Sequence, residues 1–260
     1  MKYFSSNDLH ALLEDHFDRF NKPSFIETDP IQIPHRFKKN EDIEIAAFLT
    51  STIAWGNRKS IINNAVKLMR LMDDAPHDFI TNCREKDLQR FSGFVHRTFN
   101  SDDCTFFIRS LKNIYHSHGG LKLLFEDSFA RTQDIRKSLI SFRQKFLSFP
   151  HEKHAQKHLS DLTKNSAAKR LNLFLMWLCR KDDRGVHFGL WDIPASALFI
   201  PLDVHCGNVG RRLGLLTRKQ NDWKAVEELT ASLRLFDPHD PVKYDFALFG
   251  MGVSGTSSHK

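Results

Sequence analysis

The chain has 260 residues, of which 41% are hydrophobic and 27% are charged. This balance is typical of a soluble globular protein and excludes a disordered chain. The formal net charge is +7, and the first 50 residues are net acidic while the remainder is net basic. A basic body favours a polyanionic partner such as nucleic acid, although many proteins that bind none carry a similar charge.

Neither a membrane span nor a secretion signal is expected. The apolar runs are short, and Ile43 to Phe48 is already interrupted by Glu44, whereas a bilayer span needs about 20 apolar residues. Asp8, Glu14 and Asp15 stand where a signal peptide needs an apolar stretch. We therefore expect a cytoplasmic protein with no membrane partner.

The cysteines and the sequence motifs argue against most cofactors. The four cysteines are scattered without a CxxC pair, whereas structural zinc sites and iron–sulfur clusters need clustered thiolates. Walker A and GxSxG strings are also missing from the sequence, which weakens the case for nucleotide-driven and hydrolase chemistry. We expect no cofactor.

Three histidines form a possible metal site. His151, His154 and His158 share one face if their segment is helical, and such a face can contribute ligands to a divalent metal. A solvated histidine face is the simpler interpretation, and we expect no metal.

Apolar residues recur at helical spacing along the whole chain. The segments Glu41 to Trp55, Arg58 to Met72 and Leu171 to Leu178 each carry an apolar stripe. Asp237-Pro238 and Asp240-Pro241 are typical helix starts. We predict an all-α protein of ten to twelve helices, with most of the 23 phenylalanines in its core.

We expect a single helical domain over residues 1–260. A seam near Phe149-Pro150 would divide it into lobes of residues 1–150 and 151–253. The polar tail from Ser254 to Lys260 is expected to be frayed.

The segment from Lys169 to Gly252 carries the candidate chemistry. At its centre Pro201-Leu202 precedes Asp203, which stands where a helix begins and can cap the helix N-terminus. His205 follows, and the basic helix ends in Arg211, Arg212, Leu213 and Gly214. Capping alone would also explain Asp203.

This pattern resembles the (V/L)D(T/V)H(V) motif of the helix–hairpin–helix DNA glycosylases, in which the aspartate is catalytic. The whole chain also resembles an uncharacterised bacterial family of unknown function through several strings, which are PHRF, STIAWGNRKSII, FVHRTFN, KRLNLFLMW, GLW, IPLDVH and DPVKYDFALFG. Most glycosylase branches place a catalytic lysine in a Gly-rich hairpin, which this sequence lacks before Asp203. The archaeal 8-oxoguanine branch instead places its lysine at the head of an apolar helix, and Lys169 is similar to that arrangement.

The resemblance implies a two-lobed glycosylase architecture and a DNA repair glycosylase with lyase activity. In such an enzyme Lys169 is the nucleophile and Asp203 the activating carboxylate, and the substrate carries an oxidised purine such as 8-oxoguanine. A flipped base needs apolar or aromatic walls, and the candidates are Trp55, Trp177, Trp191 and Phe188. Basic side chains would bind phosphates beside His205, and the candidates are Arg58, Lys59, Arg211 and Arg212.

A purely structural interpretation remains for each of these residues. Lys169 fits an ordinary surface lysine at a helix start, and the tryptophans fit core packing. The same scaffold could also be a non-catalytic DNA- or RNA-binding protein. The expected partner is damaged DNA, double- or single-stranded, bound by a monomer associated with the nucleoid.

Overall fold

A computed structural model describes the backbone of residues 5–256 and the side chains of residues 5–252. Twelve α-helices joined by short 3-10 segments make up this range. In the same range, β-pairing is limited to two isolated bridges, His96 with Phe99 and Ser166 with Asp222. The predicted all-α fold class is confirmed.

The α-helices are α1 (Ser6–Phe20), α2 (Pro23–Thr28), α3 (Asn40–Thr52), α4 (Arg58–Leu71), α5 (Pro76–Asn82), α6 (Ser101–His118), α7 (Leu121–Thr132), α8 (Ile135–Phe146), α9 (Lys169–Cys179), α10 (Val204–Arg212), α11 (Trp223–Arg234) and α12 (Asp245–Thr256). The 3-10 segments are Pro30–Gln32, Pro34–Arg36, Glu85–Phe91, Lys153–His158, Leu162–Lys164, Ala195–Ala197 and Pro241–Tyr244.

The chain divides into two compact units. The first unit combines Met1–Glu27 with Leu162–Lys260, and the second is the continuous segment Thr28–Asp161. The division after Asp161 lies beyond the seam expected near Pro150, and the N-terminal segment groups with the C-terminal one.

In the first unit, α12 packs against both α1 and α10. Gly250 lets α1 approach α12 closely, because a Cβ atom there would lie 2.2 Å from the ring of Phe20. The aromatic rings of Phe17 and Phe25 also contact Phe246 of α12. The N-terminal helix therefore packs into the core of this unit.

In the second unit, α3 is enclosed by its neighbours, since every residue from Ile43 to Thr52 is buried. Phe48 of this helix contacts Phe107, Phe142 and Phe146, with ring centroids 5.4–6.0 Å apart. Aromatic rings at these distances stabilise a core beyond simple area burial. The prediction that phenylalanines form core is confirmed here.

The two Asp-Pro pairs behave differently. Pro241 opens a 3-10 turn that leads into α12. Asp237-Pro238 does not start a helix. The Asp237 carboxylate instead accepts the N–H groups of His239 and Asp240 at 2.9 Å, so this prediction is wrong.

The C-terminal tail extends the last helix. Helix α12 continues through Thr256, past Ser254, where the frayed tail was expected to begin. The remaining tail, residues 257–260, lies outside the described residues.

Candidate functional site

Lys169 and Asp203 lie in contact in the first unit. Lys169 begins α9 and Asp203 directly precedes α10. The Lys169 Nζ atom lies 3.4 Å from Asp203 Oδ2, and the two side chains are 36% and 19% exposed. The pair is therefore accessible to a ligand while still partly shielded from water.

Asp203 uses its two carboxylate oxygens differently. Its Oδ1 atom accepts the backbone N–H of Cys206 at 2.9 Å and caps α10. Its Oδ2 atom faces the ammonium of Lys169. Because the cap fixes the carboxylate plane, capping and pairing with the lysine are compatible at one residue.

A tight turn brings the chain into α9. It follows the 3-10 segment Leu162–Lys164, and both Asn165 and Ala168 adopt left-handed backbone conformations, with φ of 61° and 48°. The Asn172 side chain donates to the oxygen of Ala167 at 3.2 Å and stabilises the turn. The sequence lacks the glycines expected of a hairpin, yet Asn165 is the residue type that best tolerates φ above zero.

A second carboxylate lies beside α10. The Cys206 thiol donates to Asp245 Oδ1 at 3.5 Å. Burial, reinforced by the carboxylates of Asp245 and Asp203, raises the pKa of the Cys206 thiol well above its usual value. The thiol stays protonated and is a hydrogen-bond donor here, whereas a nucleophile would need the thiolate.

Sequence reasoning missed Asp245, which lies in the DPVKYDFALFG string. Helix α12 packs closely on α10, since a Cβ atom at Gly252 would lie 3.1 Å from Cβ of His205. The string itself was the available signal, but the partner of α12 could not be read from it.

The basic residues of α10 have separate positions. The guanidinium of Arg211 donates to the backbone oxygen of Arg218 at 2.8 Å and to Asn221 Oδ1 at 2.5 Å. Arg211 therefore braces a loop of the protein, and its contact with a phosphate stays a prediction. Arg212 and His205 are exposed, as is Val204, 65% of which is accessible beside Asp203.

Two of the aromatic residues predicted to line a base pocket are instead core side chains. Trp177 and Trp191 are 2% and 0% exposed, and Phe174 contacts Trp191 edge to face at 5.3 Å. Rings buried on all sides have no face for a nucleobase to stack on. Core packing, the structural interpretation of these tryptophans, replaces their assignment to a base pocket.

The remaining candidates belong to the second unit. Trp55 is half-buried, with its ring edge-on to His96 at 5.0 Å. Arg58 and Lys59 form the first turn of α4, whose N-terminus is capped by Asn57. This part of the STIAWGNRKSII string therefore presents an aromatic ring and two cations.

The FVHRTFN string folds against the same residues. His96 and Phe99 exchange both backbone hydrogen bonds, and Arg97 between them has φ of 55°. The Arg97 side chain lies across Gly56, because a Cβ atom there would be 2.7 Å from Arg97 Nη1. Arg97 thus joins Trp55, an association that spacing in the sequence could not show.

The three histidines do not share a function. His151 contacts the oxygen of Phe149 at 2.8 Å, whereas His154 and His158 both contact the fully buried carboxylate of Asp103, at 3.1 and 2.9 Å. Within residues 5–252, no group of three or more His, Cys, Asp or Glu side chains has the geometry to hold a metal ion. His158 is itself buried, so the expected solvated face is wrong for this residue.

None of the helices within residues 5–256 combines the length and the apolar character that crossing a membrane requires.

The fold and the Lys169–Asp203 pair define an all-helical protein with a candidate polar site at two helix N-termini. Residues 29–254 match the family described as protein of unknown function, DUF2400, and the chain belongs to this family. No curated protein and no solved structure matches the chain.

Proposed function

We propose that this protein is a DNA repair glycosylase with lyase activity, of helix–hairpin–helix type and closest to the archaeal 8-oxoguanine branch. It would act as a cytoplasmic monomer on oxidised purines in nucleoid DNA. The observation that carries the proposal is the 3.4 Å contact between Lys169 Nζ and Asp203 Oδ2, each at the start of its own helix.

The chemistry assigns one role to each residue. Asp203 takes a proton from the ammonium, and the freed Nζ lone pair attacks C1′ of the deoxyribose. The C1′–N bond to the base breaks, and the departing base takes the electron pair and the proton that Asp203 had accepted, which restores the carboxylate. The carboxylate stabilises the positive charge that develops on the sugar.

The lyase step follows from the covalent adduct. The alkylated nitrogen loses a proton, and its lone pair then breaks the C1′–O4′ bond. O4′ takes up a proton, and an iminium forms between Nζ and C1′. Loss of a proton from C2′ then expels the 3′ phosphate oxygen and cuts the strand. Hydrolysis of the iminium returns Lys169.

The tight turn before Lys169 and the exposed residues beside the Lys169–Asp203 pair support the proposed activity. Asn165 and Ala168 give the chain a turn before Lys169 without glycine. Val204 and His205 border the pair and are exposed, as is the cation of Arg212 further along α10. We assign His205 to substrate contact and Arg212 to a phosphate.

Borohydride trapping tests the proposal on duplexes and single strands that carry 8-oxoguanine or other oxidised purines. The wild type is expected to give a covalent adduct on a denaturing gel, and Lys169→Gln to give none. Asp203→Asn should lose most of the adduct, although asparagine still caps a helix. Lys164→Gln is the matched control, because Lys164 is an exposed lysine in the preceding 3-10 segment.

An adduct that persists in Lys169→Gln would overturn the assignment of the nucleophile. Base excision without an adduct would leave a glycosylase that works through Asp203 alone. If neither product forms but DNA binding persists, the alternative, a non-catalytic DNA- or RNA-binding protein, replaces the proposal. The exposed Lys59 of the WGNRKS segment, next to the half-buried Arg58, is the observation that favours this alternative.

A further inference from the structure

The second unit contains a groove that the proposed chemistry does not use. It has a volume of about 610 Å³ and lies between α6 and the segment that follows α5. One face of α6 contributes Arg109, Lys112, Asn113 and His116, which have the spacing of successive turns on one side of a helix. Small-molecule sites have volumes of roughly 300–1,000 Å³.

The other wall of the groove carries an apolar patch beside the polar side chains of Asn82, Arg84 and Glu85. Leu88 is 5% exposed and Cys83 is 8% exposed, while Phe149 is half-buried at the rim. Burial raises the pKa of the Cys83 thiol, so this side chain remains neutral. A flat apolar group can therefore lie against this wall without leaving a charge desolvated.

Two cations of α6 face this wall. The Lys112 ammonium donates to the backbone oxygen of Cys83 at 2.6 Å, which uses one of its three N–H donors. The Arg109 guanidinium binds the carboxylate of Glu85 through two atoms, Nη2 at 2.6 Å and Nε at 3.2 Å. This two-point geometry is specific for a planar carboxylate.

Glu85 is a carboxylate of the protein that already lies on these cations. The hydrogen bond from Arg109, together with the charges of Arg109 and Lys112, lowers the pKa of Glu85. Yet the Glu85 side chain is 73% exposed, and an exposed ion pair of this kind stabilises a fold only slightly. A ligand carboxylate could replace Glu85 at small cost.

We propose that this groove binds a small organic carboxylate with a planar apolar body, and that Glu85 occupies the carboxylate position when the ligand is absent. The ligand carboxylate binds the fork of Arg109 and the ammonium of Lys112. Its apolar body lies between Leu88 and Phe149. Glu85 swings into solvent on its 3-10 turn.

Calorimetric titration with 1-naphthoate tests the proposal, with 1-naphthamide as the neutral probe of the same shape. The carboxylate is expected to bind the full-length protein at least tenfold more tightly than the amide. Equal affinity for the two probes would overturn the proposal. So would the absence of binding up to millimolar 1-naphthoate in both the wild type and Glu85→Gln.

The variants are expected to change the affinity for 1-naphthoate in opposite directions. Glu85→Gln removes the competing carboxylate and should tighten 1-naphthoate binding threefold to tenfold. Arg109→Gln and Lys112→Gln should each weaken it at least fivefold, with little effect on the amide. Because Lys112 also holds the backbone of Cys83, Arg109→Lys is the safer second variant, which keeps the charge and loses the planar fork.

Lys86→Gln is the matched control. Lys86 is exposed on the same 3-10 segment but does not line the groove. An equal loss in Lys86→Gln and Arg109→Gln would mean that only net surface charge matters and would overturn the site. Weaker binding in Glu85→Gln would also overturn it. All these residues belong to the second unit, whereas Lys169 belongs to the first. The 1-naphthoate titration and the borohydride trapping therefore test separate sites, and either can fail without the other.

Discussion

Asn221, in the loop that precedes α11, holds the backbone of Asp203 through a hydrogen bond of 3.2 Å from its side-chain amide to the Asp203 oxygen. The amide oxygen of Asn221 is in turn fixed by Arg211. Gly207 makes room for this contact, because a Cβ atom there would lie 2.8 Å from Asn221 Oδ1. The backbone of Asp203 is therefore held by Asn221 in addition to the cap that its carboxylate forms.

Substitutions at Asp203 should separate capping from chemistry. We expect Asp203→Ala to lower the free energy of unfolding by about 1 kcal/mol, because the N–H of Cys206 loses its cap. Asp203→Asn should cost less, since asparagine caps equally well, and yet should lose trapping. Urea denaturation monitored by circular dichroism measures the difference, and Asn208→Ala on the exposed side of α10 is the control. Equal stability of the alanine and asparagine variants would contradict a capping role.

Acid should weaken the turn that precedes α11. Arg218 bonds to Asp222 at 2.6 Å and, with further hydrogen bonds, lowers the pKa of Asp222 to about 2 from its ordinary 3.8. A carboxyl with a lowered pKa in the folded state stabilises the fold above pH 4, and this contribution is lost as the pH falls from about 4 towards 2. Asp222→Asn should therefore show a flatter fall of melting temperature between about pH 4 and pH 2 than the wild type. A parallel fall in both proteins would exclude this contribution.

Nucleic-acid binding by the second unit should depend on salt. Lys59→Gln and Arg97→Gln are each expected to reduce the slope of log K against log salt by about 0.7–0.9, the value for one phosphate contact. Fluorescence anisotropy with a labelled single strand measures this slope. Lys137→Gln, an exposed lysine paired with Asp134 on α8, should leave it unchanged. A slope altered equally by all three variants would point to net charge instead of a defined surface.

Iodide quenching should report one accessible tryptophan. Trp177, Trp191 and Trp223 are at most 2% exposed, whereas Trp55 is half-buried. We expect Trp55→Phe to remove the quenchable part of the fluorescence and to leave the remainder almost unquenched. Persistent quenching in this variant would mean that a second indole reaches solvent.

The fold class and the Lys169–Asp203 contact could be anticipated for different reasons. Apolar spacing at three and four residues indicates helices throughout the chain. The contact was expected from a motif and from a lysine heading an apolar helix. Both residues stand at helix starts, whose positions local sequence indicates well.

The residues whose positions the sequence analysis did not predict are placed by long-range packing. Asp245 reaches Cys206 only because α12 lies on α10, and no local pattern encodes that choice of neighbour. Trp177 and Trp191 were offered as ligand contacts because exposure is not visible in spacing. Arg97 likewise meets Gly56 through a turn whose partner lies about forty residues earlier in the chain.

The first unit is assembled from two segments that flank the second unit in the sequence, and this imposes an order on its folding during synthesis. Helix α1 is synthesised before the second unit, and its partner α12 is synthesised after it. The second unit, being continuous, is complete long before that. Phe20 can therefore pack against Gly250 only after α12 has been synthesised. Until then the apolar face of α1 lacks its partner helix, and a chaperone can bind it.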